Sequence, residues 1–222
     1  GQLDAFTTKE HACYYANVLD VRAGDAFELV SDIVLHPLFD AHEMERERAV
    51  ILEELAAVED APEELLWEEF VATFWLDHSL GIPVLGTKET IESLSREDLN
   101  AFFQRAYEPS NVVVAASGHL DHEEMMEFVA ARFGGLENHS APLELSPPRP
   151  FQHFRILRKE ELEQVHVAVG CPAPPAAEES RYAAFLLNAV LGGSISSRLF
   201  QRVREEHGLA YNVYSALETY AD

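Results

Sequence analysis

The chain is organised around one charged stretch, Glu45-Arg46-Glu47-Arg48-Ala49-Val50-Ile51-Leu52-Glu53-Glu54-Leu55, which continues to Asp60. Apolar residues at helical intervals predict that this stretch is a helix with one buried stripe. Glu47 and Glu54 are seven residues apart, so they project almost together from the flank of that stripe. Carboxylates beside a buried face need a cation, a hydrogen bond or a proton. Spacing leaves two alternatives open, a metal or acid–base site and a solvated pair in a chain with 39 acidic residues.

Length and composition indicate a globular protein with one large domain or two modest ones. The chain has 222 residues, of which 47% are hydrophobic and 25% charged. No apolar run approaches the ~18 residues of a membrane span, and a net charge of −23 repels nucleic acid and anionic membranes. We therefore expect neither as a partner. Cys13 and Cys171 form no CxxC motif and no secretory signal is visible, which favours a cytoplasmic location.

In the first half, aromatic and β-branched runs predict two strands, at residues 3–8 and 12–19, joined by a Lys9-Glu10 turn. Helices are predicted where apolar periodicity is bounded by capping or breaking residues. These helices cover residues 24–36, 42–60, 62–74, 95–103 and 121–133. A short apolar run at residues 112–116 predicts a further strand, and residues 80–87 a loop.

The second half begins after the best linker in the chain, residues 138–150, which is rich in proline. Beyond it the sequence predicts strands at 152–158, 164–169 and 210–215, and helices at 182–191 and 196–207, the last capped by Gly208. Strands and helices alternate without a regular βαβ rhythm, which indicates an α+β fold. We predict one domain over residues 1–137, the linker, and a second domain over 151–222.

Two groups of residues suggest chemistry besides the acidic helix. Arg204 ends a predicted helix and Tyr211 follows Gly208, so a helix–glycine–strand corner brings the two side chains to one mouth. A guanidinium and a phenol suit a developing oxyanion or a peptide carbonyl, although a surface arginine beside a core aromatic fits the same pattern. His119 and His122 are three residues apart at a helix start, where a metal pair or a solvated turn are both compatible with the spacing.

Motifs along nearly the whole chain resemble the M16 zinc metallopeptidases, the family of mitochondrial processing peptidase, pitrilysin and insulin-degrading enzyme. The motifs occur in the family's order and spacing. They are Asp4-Ala5-Phe6-Thr7-Thr8-Lys9-Glu10-His11, Tyr14-Tyr15, Leu38-Phe39, Glu45-Arg46-Glu47-Arg48-x-Val50-x-x-Glu53-Glu54, Gly86-Thr87-x-Glu89-x-Ile91, Tyr107-x-Pro109-x-Asn111, Gln164-x-His166, Leu191-Gly192-Gly193-x-x-Ser196-Ser197-Arg198-Leu199-Phe200-Gln201 and Arg204-Glu205-x-x-Gly208-Leu209-Ala210-Tyr211.

The resemblance implies an M16 (LuxS/MPP-like) metallohydrolase fold, with antiparallel sheets flanked by helices and two homologous domains that are both truncated here. It also implies roles for individual residues. Glu54 resembles the third zinc ligand and Glu47 the second acidic residue that supports the site. Asp4-Ala5-Phe6 resembles the sheet edge to which a substrate peptide adds as a strand, although family members often have Asn in place of Asp4. Arg204 and Tyr211 resemble the pair that holds the substrate and stabilises the oxyanion.

The chain departs from the family's pattern at one point. In the family, the HxxEH motif that supplies two histidine ligands and the general base lies upstream of the strand that Asp4-Ala5-Phe6-Thr7 resembles, and the given sequence starts after that point. Zinc sites need three protein ligands, so we expect Zn²⁺ once per intact site but not tightly bound by this chain. The predicted function is a zinc-dependent endopeptidase that hydrolyses peptides in an enclosed chamber, the chain itself being catalytically incomplete. The alternative is a non-catalytic M16-like scaffold or regulatory subunit. Expected partners are a peptide substrate and a second M16 subunit in a homo- or heterodimer, and exposed strand edges predict aggregation of the isolated chain.

Overall fold

The computed structural model describes residues 1–137, 146–159 and 162–221. It begins with a hairpin of two strands and continues with seven α-helices and one π-helix in the described residues. The elements are β1 Gln2–Thr7, β2 Ala12–Asn17, α1 Ala23–Leu35, α2 Ala41–Asp60, α3 Pro62–Phe74, α4 Lys88–Ser93, α5 Arg96–Ala106, α6 His122–Phe133, α7 Arg181–Leu191 and the π-helix Phe200–Glu206. Within the described residues no helix is long and apolar enough to cross a bilayer.

The β1–β2 hairpin is antiparallel and confirms the two strands expected at the start of the chain. Gln2 pairs with Asn17 and Thr7 with Ala12, and the amide of Thr8 donates to the carbonyl of His11 at 2.8 Å in the turn. Leu3 and Ala16 form a cleft with Ala26 and Leu29 of α1. Because side chains alternate across a strand, α1 covers one face of the hairpin, and the opposite face holds Asp4, Phe6 and Tyr15.

Helix α1 also packs against α6, so these two helices form a layer behind the hairpin. Phe27 of α1 contacts Phe128 and Phe133 of α6, with ring centroids about 6 Å from it. The guanidinium of Arg132 contacts the carboxylate of Glu28 at 2.6 Å. The aromatic contacts bury apolar area and the exposed ion pair contributes little, so packing rather than charge holds this layer together.

Helix α2 forms a second group with α3 and α4. Its first turn is capped by Asp40, whose carboxylate accepts from the amides of His42 and Glu43, and Pro62 begins α3 at the first helical position. The three buried apolar residues among those described are Val71 in α3, Leu80 in the turn after it and Ile91 in α4. The core of the chain is therefore small and lies beside α3 and α4.

Residues 151–159 and 162–166 contact α3 and connect the second half of the chain to the first. The amide of Phe151 donates to the carbonyl of Phe74 at 2.8 Å. Further on, Arg155 forms an ion pair with Glu69, and His166 lies 3.7 Å from the carboxylate of Glu63. The predicted linker falls partly on residues 138–145, outside the described residues, and the proposed domain boundaries remain a prediction.

Four predicted strands, at residues 112–116, 152–158, 164–169 and 210–215, are wrong as predictions for this chain. The structure has no strand at these positions, although it describes all of them. Burial between 165 and 169 nevertheless alternates, since His166 and Ala168 are half-buried whereas Val165, Val167 and Val169 are exposed. The segment keeps the two-residue period of a strand, but within residues 1–137, 146–159 and 162–221 no neighbouring strand supplies the ladder hydrogen bonds that would make it one.

The predicted helices are confirmed, with two refinements. Helix α4 was not expected, and the last helix is a π-helix rather than an α-helix. Gly208 ends it as expected, with φ +60°, a backbone conformation that favours glycine. The amides of Gly208 and Leu209 donate to the carbonyls of Arg204 and Val203, which completes the cap. The architecture is therefore α+β, with a small antiparallel sheet backed by helices.

Candidate functional site

Helix α2 presents both predicted acidic residues to solvent. Glu47 and Glu54 are exposed, and among the described residues neither carboxylate has a hydrogen-bond or salt-bridge partner in the protein. The half-buried stripe of α2 includes Met44, Ile51 and Leu55, as the periodicity predicted. The two carboxylates are therefore accessible to a ligand, but their attachment points are about 10 Å apart along the helix axis, and no contact in the described residues holds them together.

Arg48, which lies between the two acidic residues in sequence, connects α2 to α4. Its side chain is only 18% exposed. The guanidinium donates to the carbonyl of Ile91 and, at 2.8 Å, to the carbonyl of Leu94, both at the carboxyl end of α4. A cation there satisfies carbonyls that a helix end leaves unpaired, and it joins α2 to α4.

The described residues do not make a complete metal site. No group of three or more His, Cys, Asp or Glu side chains lies within metal-binding reach in residues 1–137, 146–159 and 162–221. Glu54 can supply one carboxylate, whereas a protein zinc site takes three or four ligands. His119, considered above as a ligand beside His122, instead contacts Asp20, with 2.8 Å between Nδ1 and Oδ2. This contact lowers the pKa of the Asp20 carboxyl.

The structure brings Arg204 and Tyr211 together. The guanidinium carbon of Arg204 lies 5.2 Å from the centroid of the Tyr211 ring and 4.6 Å from the centroid of the Phe200 ring. Tyr211 is 82% exposed, so its hydroxyl is open to a ligand. Two cation–π contacts and an ion pair between Nε and Glu205 at 3.7 Å engage the guanidinium, while its other N–H donors stay available. The pair forms because the Gly208 cap turns the chain back after the π-helix.

The predicted substrate edge is also accessible. All six residues of β1 are exposed, and its outer edge has no strand partner in the described part of the chain. Asp4 Oδ1 accepts from the amide of Ala5 at 2.8 Å, and Asp4 Oδ2 accepts from the hydroxyl of Tyr15 at 3.3 Å. Ala5 and Phe6 continue the same edge. An unpaired edge strand is a template for an added peptide strand.

Three residues near these groups were not predicted to have a role: Arg48, Phe200 and Tyr15. Arg48 joins α2, which carries Glu47 and Glu54, to α4. Phe200 contacts Arg204 within a π-helix, and Tyr15 of β2 donates to Asp4 of β1. The sequence could have indicated a role for Arg48, because a positively charged side chain on a packed helix, between Glu45 and Glu47, needs a hydrogen-bond acceptor or an opposite charge nearby. No hydrogen bond or ion pair in the described residues joins Arg204 and Tyr211, or the β1 edge, to Glu47 or Glu54.

Family comparisons match almost the whole chain. Residues 1–88 match the family model described as insulinase (peptidase family M16), and residues 93–222 match the model described as peptidase M16 inactive domain. An uncharacterized zinc protease of Mycobacterium leprae is 44% identical over the whole chain, and the uncharacterized zinc protease YmxG of Bacillus subtilis is 39% identical. The chain spans about half the length of these relatives, 51% and 54%.

Solved structures agree on the fold. A peptidase M16 inactive domain from Pseudomonas fluorescens superposes with TM-score 0.80 at 22% identity, over 99% of this chain and 54% of that one. A protease from Helicobacter pylori gives TM-score 0.82 at 19% identity, over 100% and 55%. A chain of complex III₂ from Candida albicans gives 0.72 at 20%, over 92% and 51%. The two family models account for nearly every residue, and the chain belongs to the M16 peptidase family.

Proposed function

We propose that these 222 residues are part of a zinc-dependent endopeptidase that cleaves peptides within an enclosed chamber. The observation that carries the proposal is the pairing of Arg204 with Tyr211, which presents a cation and a phenol hydroxyl side by side. Membership of a peptidase family, with relatives named zinc proteases, supports it. The whole protein would be longer than this chain, since the chain spans about half of those relatives.

In this proposal β1 binds the substrate and the π-helix region contacts its reacting bond. A peptide adds to the open edge of β1, where backbone amides and carbonyls of the strand form the ladder. For the Ala5 amide to take part, it would exchange its hydrogen bond to Asp4 Oδ1 for one to the peptide. Tyr211 donates its hydroxyl, and Arg204 an N–H, to the oxygen of the scissile carbonyl. Donors already positioned toward developing charge lower the barrier because they need no reorganisation during the reaction.

Zinc would supply an electrophile and an activated water in the intact enzyme. The described residues offer it a single predicted donor, Glu54, with Glu47 placed to support a neighbouring ligand. They do not fit a complete zinc site, so the remaining ligands would come from outside them, upstream of Gly1 as the family resemblance implies. A partner M16 subunit, in a homo- or heterodimer, would complete the chamber. We propose a cytoplasmic location.

The experiment uses the full-length polypeptide, with zinc content measured by metal analysis and cleavage by a quenched fluorescent peptide. We expect about one zinc per site in the wild type, and loss of zinc in Glu54→Gln. Glu47→Gln should weaken zinc binding by about 10–100-fold, as for other groups that orient a ligand. Glu59→Gln removes the same charge from the exposed end of α2 and should retain zinc.

Tyr211→Phe separates the catalytic prediction from metal binding. The variant should retain zinc and KM but lose roughly 10²-fold in kcat, the usual effect of removing one oxyanion donor. A full-length protein that binds no zinc and cleaves no peptide would overturn the proposal. It would favour a non-catalytic M16-like subunit, which the description of the matching family model as an inactive domain also supports. The presence or absence of HxxEH before Gly1 separates these two functions most cheaply.

A further inference from the structure

The face of the hairpin opposite α1 carries one carboxylate beside two aromatic rings. Asp4 is directly opposite Tyr15 in the β1–β2 register, and Phe6 is two residues further along β1 on the same face. The ring centroids of Phe6 and Tyr15 are 6.3 Å apart. Phe6 is 48% exposed and Tyr15 is 37% exposed. The carboxylate and both rings are therefore accessible to a ligand that approaches this face.

The charge of Asp4 is not compensated by a cation of the protein. No ion pair to Asp4 occurs within the described residues, and its two oxygens accept only from the Ala5 amide and the Tyr15 hydroxyl. A carboxylate has about four acceptor positions, so capacity for further donors remains. Lys9, the cation nearest in sequence, donates instead to the carbonyl of Ile82 at 2.7 Å. The negative charge of Asp4 also raises the pKa of Tyr15, so the carboxylate acts on the neighbouring hydroxyl.

We propose that Asp4, Phe6 and Tyr15 recognise a lysine or arginine side chain of the peptide substrate. The inference rests on the proposed function, because the peptide must lie along β1. Successive side chains of an added strand project to opposite faces, so every second substrate side chain lies beside Asp4 or Phe6 of β1, with Tyr15 one strand further from the peptide. There the ammonium or guanidinium meets the carboxylate, and its charge interacts with the exposed faces of the two rings.

The net charge of −23 also attracts cations to the protein, but a field spread over the surface cannot select the position of a charge within a peptide. Recognition by Asp4 can select that position, because the carboxylate must contact the bound side chain directly. The two effects are separated by removing one negative charge from Asp4 or from a distant site. Asp60 is an exposed residue at the end of α2, and Asp60→Asn changes the net charge by the same amount as Asp4→Asn.

The test measures binding to the full-length protein in the presence of a chelator, so that no peptide is cleaved. Fluorescence anisotropy compares peptides that carry lysine or norleucine at one position, scanned along an otherwise neutral sequence. We expect wild type and Asp60→Asn to prefer lysine at alternate positions by roughly threefold to tenfold. Asp4→Asn should lose most of this preference, and Phe6→Leu part of it. Added salt should reduce the preference in the wild type.

The outcomes distinguish the two proposals. A preference that Asp4→Asn and Asp60→Asn reduce equally would assign it to overall charge and overturn the inference. Equal binding of lysine and norleucine peptides by the wild type would overturn it as well, while leaving the proposed peptidase intact. Absence of binding for every peptide, together with absence of cleavage when zinc is restored, would remove the proposed function itself.

Discussion

The hydroxyls of Tyr14 and Tyr107 are 2.9 Å apart, and this single hydrogen bond joins β2 to the end of α5. Both residues are half-buried. Burial, and next the hydrogen bond with Tyr14, raise the pKa of Tyr107 above its ordinary value. A phenol held neutral in the folded state lets the unfolded state lose its proton first, near pH 10. The contribution of Tyr107 to the free energy of unfolding is therefore fully present below pH 10, and it falls as the pH rises toward the folded-state pKa.

Tyr107→Phe should lower the free energy of unfolding at pH 7 by about 1 kcal/mol, the usual net value of a hydrogen bond. Between pH 10 and 11 the variant should lose stability less steeply than the wild type. Urea unfolding at several pH values measures both effects, and a double-mutant cycle with Tyr14→Phe isolates the pair. An identical alkaline slope in the two proteins, or additive single effects, would show that the two hydroxyls are not coupled.

Individual contacts were the least predictable part of the site. The sequence pattern placed Arg204 and Tyr211 at one corner because Gly208 ends the helix, and their proximity is confirmed. The contact of Arg204 with the Phe200 ring was not predicted, since it occurs in a π-helix and the expected element was an α-helix. The roles of Arg204, Tyr211, Glu47 and Glu54 stay predictions, because they concern a substrate and a metal.

At the scale of elements, the joint between α2 and α4 depends on Arg48. Its guanidinium is largely buried and satisfies two carbonyls at the end of α4. Arg48→Met keeps much of the side-chain volume but leaves those carbonyls without a donor, so the free energy of unfolding should fall by about 2 kcal/mol. Arg46→Met is the matched control, because Arg46 is exposed and, among the described residues, pairs only with Glu43. Its loss should cost under about 0.5 kcal/mol.

Chemical denaturation of both variants in the full-length protein checks this prediction, and zinc affinity gives a second measurement. If Arg48 positions the helix that carries Glu54, Arg48→Met should weaken zinc binding while Arg46→Met does not. Equal destabilisation by the two substitutions would show that the carbonyl contacts are not a significant part of the joint.

The helices were predictable because their signals are local. Apolar periodicity, the Asp40 cap, Pro62 and the Ser95–Asp98 capping box each act within a few residues. The strand predictions failed for four segments, although their composition resembles that of β1: residues 112–116, 152–158, 164–169 and 210–215. A strand exists only when another segment supplies hydrogen bonds, and composition cannot show whether a partner from a distant part of the chain is present. The β1–β2 hairpin forms because its partner is four residues away.

At the scale of the whole molecule, the chain exposes far more surface than a compact protein of its mass. The accessible surface is 17058 Å², against about 10,000 Å² for a folded monomer of 24.9 kDa. Part of the excess is apolar and strand-like, since Val165, Val167 and Val169 are 89%, 77% and 91% exposed along one side of an extended segment. Such a row is normally covered by protein, because it combines apolar area with unpaired backbone groups.

We therefore expect the 222-residue chain, when produced alone, to associate at micromolar concentration and to bind the dye ANS. Sedimentation velocity over a concentration series and dye fluorescence measure the two properties. Changing Val165, Val167 and Val169 together to threonine keeps their size but makes the row polar, so association should weaken. The matched control changes three other exposed valines to threonine, Val21, Val50 and Val84, which lie in separate parts of the fold.

A chain that stays monomeric, excludes the dye and unfolds in one sharp transition would contradict this prediction. Equal weakening by the two triple variants would show that exposed apolar area in general, rather than the strand-like row, drives the association.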